Sequence, residues 1–131
     1  MLYGVHQRPT DYGMNPCELA SLVEEYGFES YFVSEHSHIP VQTASKWPGG
    51  DGMPRFMTHF LDPFITLGAV AAVTTRLRLG TGIVLAPQRD TIQLSKEAAS
   101  LDFLSSGRLL LGIGAGWNDE EMRNHGVNPA I

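Results

Sequence analysis

Short apolar runs alternate with longer segments whose apolar residues recur every three or four positions, and this alternation predicts strands alternating with helices. Leu2 to His6 predicts a first strand. A polar loop with Arg8, Pro9, Asp11 and Gly13 follows; Asn15 then offers an N-cap and Pro16 the first helical position. Leu19, Leu22, Val23 and Tyr26 share one face of that helix before Gly27 stops it. Ser30 to Ser34 predicts a second strand that ends in Glu35, His36, Ser37 and His38.

Residues 39–61 carry no periodicity and are rich in Pro, Gly and Met, with Trp47 beside Pro48. An irregular stretch of that length leaving a strand end predicts a lid-like insertion. Asp62 and Pro63 repeat the cap pairing and open a second helix through Phe64, Leu67, Ala71 and Val73. The segment from Arg76 to Asp90 predicts a buried third strand through Leu77, Leu79, Ile83, Val84 and Leu85. Gly80 and Gly82 interrupt it, which suits a bulge, and Pro87 ends its ladder. Asp90 with Gln93 resembles a capping box for a third helix through Ile92, Leu94, Ala98, Leu101 and Leu104, stopped by Gly107. Arg108 to Ile113 predicts a fourth strand, followed by Gly114, Ala115, Gly116, Trp117 and Asn118. Asp119, Glu120 and Glu121 favour one more helix start through the macrodipole.

The fold class is therefore α/β with a parallel sheet whose polar loops follow the carboxyl ends of the strands. A doubly wound sheet and part of a (β/α)8 barrel both satisfy the alternation. Gly112, Gly114 and Gly116 do not make a dinucleotide fingerprint, because position 117 is Trp and the motif follows the fourth strand rather than the first. Tight packing and close approach of backbone amides to a ligand are the remaining uses of these glycines.

Composition narrows the function classes. The chain has 131 residues, of which 43% are hydrophobic and 18% charged, which predicts one globular domain rather than disorder. A net charge of -5 with nine scattered Lys and Arg residues leaves no basic footprint for nucleic acid. The longest mostly apolar run, Phe64 to Val73, is too short for a bilayer, and one cysteine, Cys17, fits a reducing compartment. A cytoplasmic protein with a small-molecule substrate is the expectation. His36 and His38 beside Glu35 could offer a metal two nitrogens, but no further ligand pair accompanies them. An imidazole at a strand's carboxyl end is better suited to moving a proton, which makes His36 the candidate catalytic group and assigns no residue to a metal.

The segments YFVSEHSHIP, TTRLRLGTGIVLAPQRD, LDFLSSGRLLLGIGAGWNDEE and the later HGV together resemble the bacterial luciferase-like monooxygenase superfamily. They are most similar to its branch of oxidoreductases that use the deazaflavin coenzyme F420. That resemblance implies a TIM-type (β/α)8 barrel, of which about four units are present, a half barrel. It further implies a coenzyme ring at the carboxyl ends of the strands, F420 or alternatively FMN. Gly82 and Ile83 would form the buttress behind the ring, on a non-prolyl cis peptide in many members. His36 would neighbour the reactive face, Glu35 would stand where relatives carry an aspartate, and Ala115, Gly116 and Asn118 would form a coenzyme-contacting turn. The sugar-phosphate dehydrogenases of the family carry a glutamate where this chain has Ala115, so their reaction is not implied. Hydride transfer is the implied chemistry, with an FMN monooxygenase and a non-enzymatic half-barrel binding module as competitors. A half barrel is expected to self-associate or to pair with a complementary carboxyl-terminal half.

Overall fold

The computed structural model describes residues 1–130. Four parallel strands lie in one sheet: β1 (Gly4–Gln7), β2 (Ser30–Val33), β3 (Arg78–Thr81) and β5 (Leu109–Leu110). A smaller parallel pair, β4 (Val84–Leu85) with β6 (Ile113–Gly114), continues beyond it. Helices α1 (Pro16–Glu25), α2 (Pro63–Val73) and α3 (Thr91–Leu104) connect successive strands, and α4 (Asp119–Asn124) follows β6. These are consecutive (β/α) units of a TIM-type barrel. The first strand begins and ends later than predicted, at Gly4 and Gln7.

The predicted third and fourth strands are each broken in two. Thr81 accounts for the break: its Oγ1 donates to Gly112 O at 2.8 Å and accepts from Gly112 N at 2.9 Å, so a side chain replaces the ladder between the two sheets. Ladder bonding resumes with Val84 N donating to Gly112 O at 2.9 Å. The Gly82–Ile83 peptide within this step is cis.

Helix starts follow the predicted caps. Asn15 Oδ1 accepts from Cys17 N, Asp62 Oδ1 from Ile65 N and Asp90 Oδ1 from Gln93 N, all at 2.8 to 2.9 Å. Gln93 does not close a capping box, since its Nε2 donates along the helix to Glu97. Residues 39–61 are less irregular than expected. They contain a 3-10 turn at Arg55–Thr58, and Phe60 forms a bridge with Thr10.

Register separates the two faces of the main sheet. Val5, Tyr31, Leu79 and Leu109 are aligned neighbours, and this row packs under the helices against Ala20, Leu67, Val70 and Leu101. Each fully buried leucine of this core, such as Leu67 or Leu79, contributes about 1.5–3 kcal/mol by removal from water. His6, Phe32, Gly80 and Leu110 form the alternate row, facing away from the helices. There the Phe32 ring fills the space a Cβ at Gly80 would need. Beyond Leu110, Leu111 and Ile113 are exposed. No helix among the described residues is long and apolar enough to cross a membrane.

Candidate functional site

Strand polarity brings the predicted site residues to one end of the sheet. β2 runs out at Val33, and the next residues are Ser34, Glu35, His36 and Ser37. Ser34 Oγ lies 2.8 Å from His6 Nε2 and donates to the carbonyl of Gly82 at 3.3 Å, linking the ends of β1, β2 and β3. Burial pushes the His6 imidazole below its ordinary value, only partly offset by a backbone hydrogen bond with Gly82. Sequence reasoning gave His6 no role; the structure makes it a brace of the Gly82 step.

Ile83 lies across Gly114, its side chain occupying the room that a Cβ there would take, and the residue is left 37% exposed. The glycines of this region are thus mostly packing residues. Gly80 yields to Phe32, Gly112 to the Thr81 carbonyl and Gly114 to Ile83. What remains open is an apolar surface at Ile83 flanked by the Ser34 hydroxyl and the His6 imidazole. Such a surface fits a flat aromatic ring with a polar edge.

His36 is nearly enclosed, its side chain 7% exposed. Nδ1 lies 2.7 Å from Glu121 Oε2, and Nε2 receives the indole N–H of Trp117 at 3.1 Å. The Trp117 ring meets it edge-on at 5.4 Å and Phe60 of the insertion lies 5.7 Å away. Glu121 has no exposed surface and takes further hydrogen bonds at Oε1 from Ser37 N at 2.9 Å and Ser37 Oγ at 3.1 Å. Burial alone would raise its carboxyl; the bonds from His36 and Ser37 outweigh that and hold it below the ordinary carboxylate value. Glu121 was read from sequence only as a helix start. The missed signal is that a histidine at the end of a buried strand needs a partner for its second nitrogen.

Glu35 differs from the expectation. Alternation turns it to the side opposite His36, where both oxygens are taken by the protein. Oε2 accepts from Leu85 N at 2.6 Å, while Oε1 accepts from the Arg89 guanidinium, which also holds Asp62 at 2.7 Å and Glu97 at 2.9 Å. Glu35 therefore braces β4 and the segment after it. Arg89, which sequence reasoning treated as loop, is the centre of that brace. A cavity of about 460 Å³ separates the two networks, with Gln88, Arg89 and Glu35 on one side and His36, Phe60 and His125 on the other.

Asn118 also departs from its expected role. It is fully buried and N-caps α4, its Oδ1 accepting from Glu121 N at 2.9 Å, while its Nδ2 has no partner. Ala115 and Gly116 form the exposed turn before it, with Gly116 at φ +93, a conformation that favours glycine. His36 and His38 do not converge. His38 turns to Ser37 Oγ and Asn124, and no metal-holding group of three His, Cys, Asp or Glu side chains occurs among the described residues.

The insertion is tied to α4. Glu120 accepts from Thr43 Oγ1 at 2.9 Å and from Ser45 N at 3.3 Å, and hydrogen bonds from Ser45 and Thr43 hold its carboxyl down to about 2. Trp47 packs edge-on against Phe56, which packs edge-on against Phe60, carrying the insertion to the rim of His36.

Comparison with known proteins follows the same geometry. Residues 6–130 match the family described as luciferase-like monooxygenase. An uncharacterized protein of Mycobacterium tuberculosis is 44% identical over 133 residues, covering 98% of this chain and 47% of that protein. The 4-hydroxyprotoasukamycin monooxygenase of Streptomyces nodosus subsp. asukaensis is 32% identical, covering 86% of this chain and 26% of that protein. The oxygenating constituent of 3,6-diketocamphane monooxygenase from Pseudomonas putida, solved with FMN, superposes with TM-score 0.76 at 21% identity over 99% of this chain and 34% of its own. The coenzyme F420 dependent tetrahydromethanopterin reductase from Methanopyrus kandleri superposes with TM-score 0.69 at 22% identity, over 95% of this chain and 30% of its own. At those identities the two structures speak for the fold alone. The chain spans about half the length of the mycobacterial relative.

Proposed function

We propose a function from the premise that the chain belongs to the luciferase-like monooxygenase family: it supplies part of the active site of an oxidoreductase that passes a hydride between coenzyme F420 and a small organic substrate. The observation that carries this reading is the partly exposed Ile83 side chain, seated on Gly114 at the carboxyl end of the strands and flanked by the His6–Ser34–Gly82 network. Barrel enzymes place their chemistry at that end. A bound deazaflavin would supply hydride acceptance and return.

The chain's own residues do the rest. Ile83 gives the ring an apolar backing, with His6 and Ser34 holding the Gly82 carbonyl in place behind it. His36 handles the substrate's proton. Phe60 and Trp117 cover His36 and keep water from it. Positioning of this kind replaces an encounter in solution with a fixed approach. The relative's greater length implies further barrel strands, which we assign to a complementary half: more of the same polypeptide, a second copy or a separate chain. The ring is then held weakly by this chain alone.

FMN is the second reading, favoured by the 32% identity to a monooxygenase. The same Ile83 surface would accept its ring. Fluorescence titration of the purified chain with F420 and with FMN tests both, using Ile83→Asp as control. Tighter F420 binding, lost in Ile83→Asp, is expected. Binding of FMN alone would replace the first reading with the second. A chain joined to its complementary half that folds and binds neither would remove both and favour the non-enzymatic module.

A further inference from the structure

Glu121 occupies the third helical position behind an Asn N-cap, where a glutamate ordinarily reaches back to the cap's own N–H. Its carboxylate is instead turned away from α4 into the loop after β2 and is buried without any exposed surface. A buried carboxylate is a costly cap, so its geometry points to another role.

The hydrogen-bond network fixes the protons. Trp117 Nε1 can only donate, so His36 Nε2 must accept. A neutral imidazole that accepts at Nε2 carries its proton on Nδ1, and Nδ1 faces Glu121 Oε2 at 2.7 Å. The other carboxylate oxygen is saturated by Ser37, through both its backbone N–H and its hydroxyl. That hydroxyl is in turn free to donate to Glu121, because the two outer histidines can approach it as donors. Asn124 Nδ2 lies 2.9 Å from His38 Nε2, leaving His38 Nδ1–H for Ser37 Oγ at 2.8 Å, and His125 Nε2 meets the same oxygen at 2.7 Å. Every donor in the cluster then has an acceptor, and no alternative orientation of His36 satisfies both Trp117 and Glu121.

We propose that Glu121 is a positioning residue: it fixes His36 as the neutral Nδ1–H tautomer, so that Nε2, guarded by the Trp117 indole, is the nitrogen that takes the substrate's proton. The proposal deepens the proton-handling role assigned to His36 above and rests on it. When an O–H or N–H of the substrate gives its proton to Nε2, the bonding pair stays on the substrate heteroatom and the ring becomes an imidazolium. The Glu121 carboxylate already stands opposite as its counter-ion. Trp117 has to swing aside first, since two donors cannot face each other; Gly116 at φ +93 and the exposed turn before it supply a pivot. Trp117 is thereby a gate that opens on substrate and protects Nε2 until then.

Long-range 15N–1H correlation spectra of the histidine rings in the uniformly labelled chain read the tautomer directly, without coenzyme. The wild-type spectrum is expected to show His36 with a protonated Nδ1 and an unprotonated Nε2. In Glu121→Gln one oxygen becomes an NH2 donor; the fixed Ser37 N–H retains the remaining oxygen, the NH2 confronts Nδ1, and the separation of the two ring nitrogens collapses toward an averaged value. Glu121→Asp should recover part of it. Trp117→Phe should keep the Nδ1–H tautomer while exposing Nε2. Unchanged amide signals of Val5, Tyr31 and Leu79 serve as the check of folding. An Nε2–H tautomer in the wild type overturns the proposal whether or not a variant folds. So does a Glu121→Gln spectrum identical to wild type, or scrambling by Trp117→Phe instead. Failed coenzyme titration would remove the hydride function yet leave these spectra as they are, so the two readings fail separately.

Discussion

The two ends of the sheet use their charged side chains differently. At the amino ends of the strands, charges are spent on backbone. Glu24 accepts from the N–H groups of Thr75, Arg76 and Leu77, and Arg108 donates to the carbonyls of Ala71, Thr74, Leu77 and Ser105. These bonds satisfy the last turn of α2 and the loop into β3, where a helix leaves carbonyls without partners and a cation suits the dipole. At the carboxyl ends, charges meet other side chains: Glu121 meets His36, and Arg89 meets Glu35, Asp62 and Glu97. The first arrangement closes off backbone polarity and holds the fold. The second leaves imidazole and guanidinium groups around a cavity, where their orientation matters more than their contribution to stability.

Arg108→Met should show the largest effect of any change tested against that contrast. It strands several carbonyls at once, and we expect a loss of about 2–4 kcal/mol by urea unfolding. His36 ring signals in the folded fraction should stay as in wild type. Comparable disturbance of His36 would mean that the two ends are not independent.

Arg89→Met comes next. It leaves the buried Glu35 without its cation, at a loss of about 2–3 kcal/mol after allowance for the partial exposure of the arginine. Adding Glu35→Gln should return part of that loss, and a double-mutant cycle measures the coupling. Additive losses would show that Glu35 relies on Leu85 N alone.

Glu24 and Glu120 allow a test by pH. Burial works against ionisation of Glu24, but hydrogen bonds from Arg76, Leu77 and Thr75 hold its carboxyl below the ordinary 4.5, and Glu120 lies down at about 2. Depressed carboxylates lend stability above the unfolded value, and that stability is lost as pH falls through the folded one. Amide-exchange protection at Ala44 and Ser45 should therefore begin to weaken near pH 4.5 and vanish around pH 2 as Glu120 protonates. Flat protection across that range would detach the insertion from Glu120. The smallest effect belongs to Ile113→Ser, at an apolar residue of β6 that is 62% exposed. We expect a change within about 0.5 kcal/mol in this chain, measured by the same urea unfolding.

The fold was legible wherever a local rule acts alone. Asn15–Pro16, Asp62–Pro63 and Asp90 each start a helix because a short polar cap is followed by residues that tolerate the first turn. The interruption of the third strand was legible, since its glycines and the family resemblance both pointed to a break and a cis peptide at Gly82–Ile83; the break of the fourth was not, since Thr81 looks like an ordinary strand residue until Gly112 lies beside it. His36 could be picked out because imidazole at a strand end is unusual. Glu121 and Arg89 could not: an acidic residue in a first helical turn and a basic one after a strand each have a routine surface explanation. Only the crossing of segments 85 residues apart in the first case and 54 in the second reveals their partners. Asn118, expected in a coenzyme-contacting turn, also serves the fold as a buried cap, which the sequence did not show because its partner amide lies within a helix that only the acidic run announced.

A crystal structure of the chain grown with F420 tests the carboxyl-end site most directly. The ring should lie against Ile83 with the His6–Ser34–Gly82 network behind it and His36 at its open face, Trp117 having moved off Nε2. Density for the ring elsewhere on the chain, or an Ile83 surface that stays empty at saturating coenzyme, would contradict it.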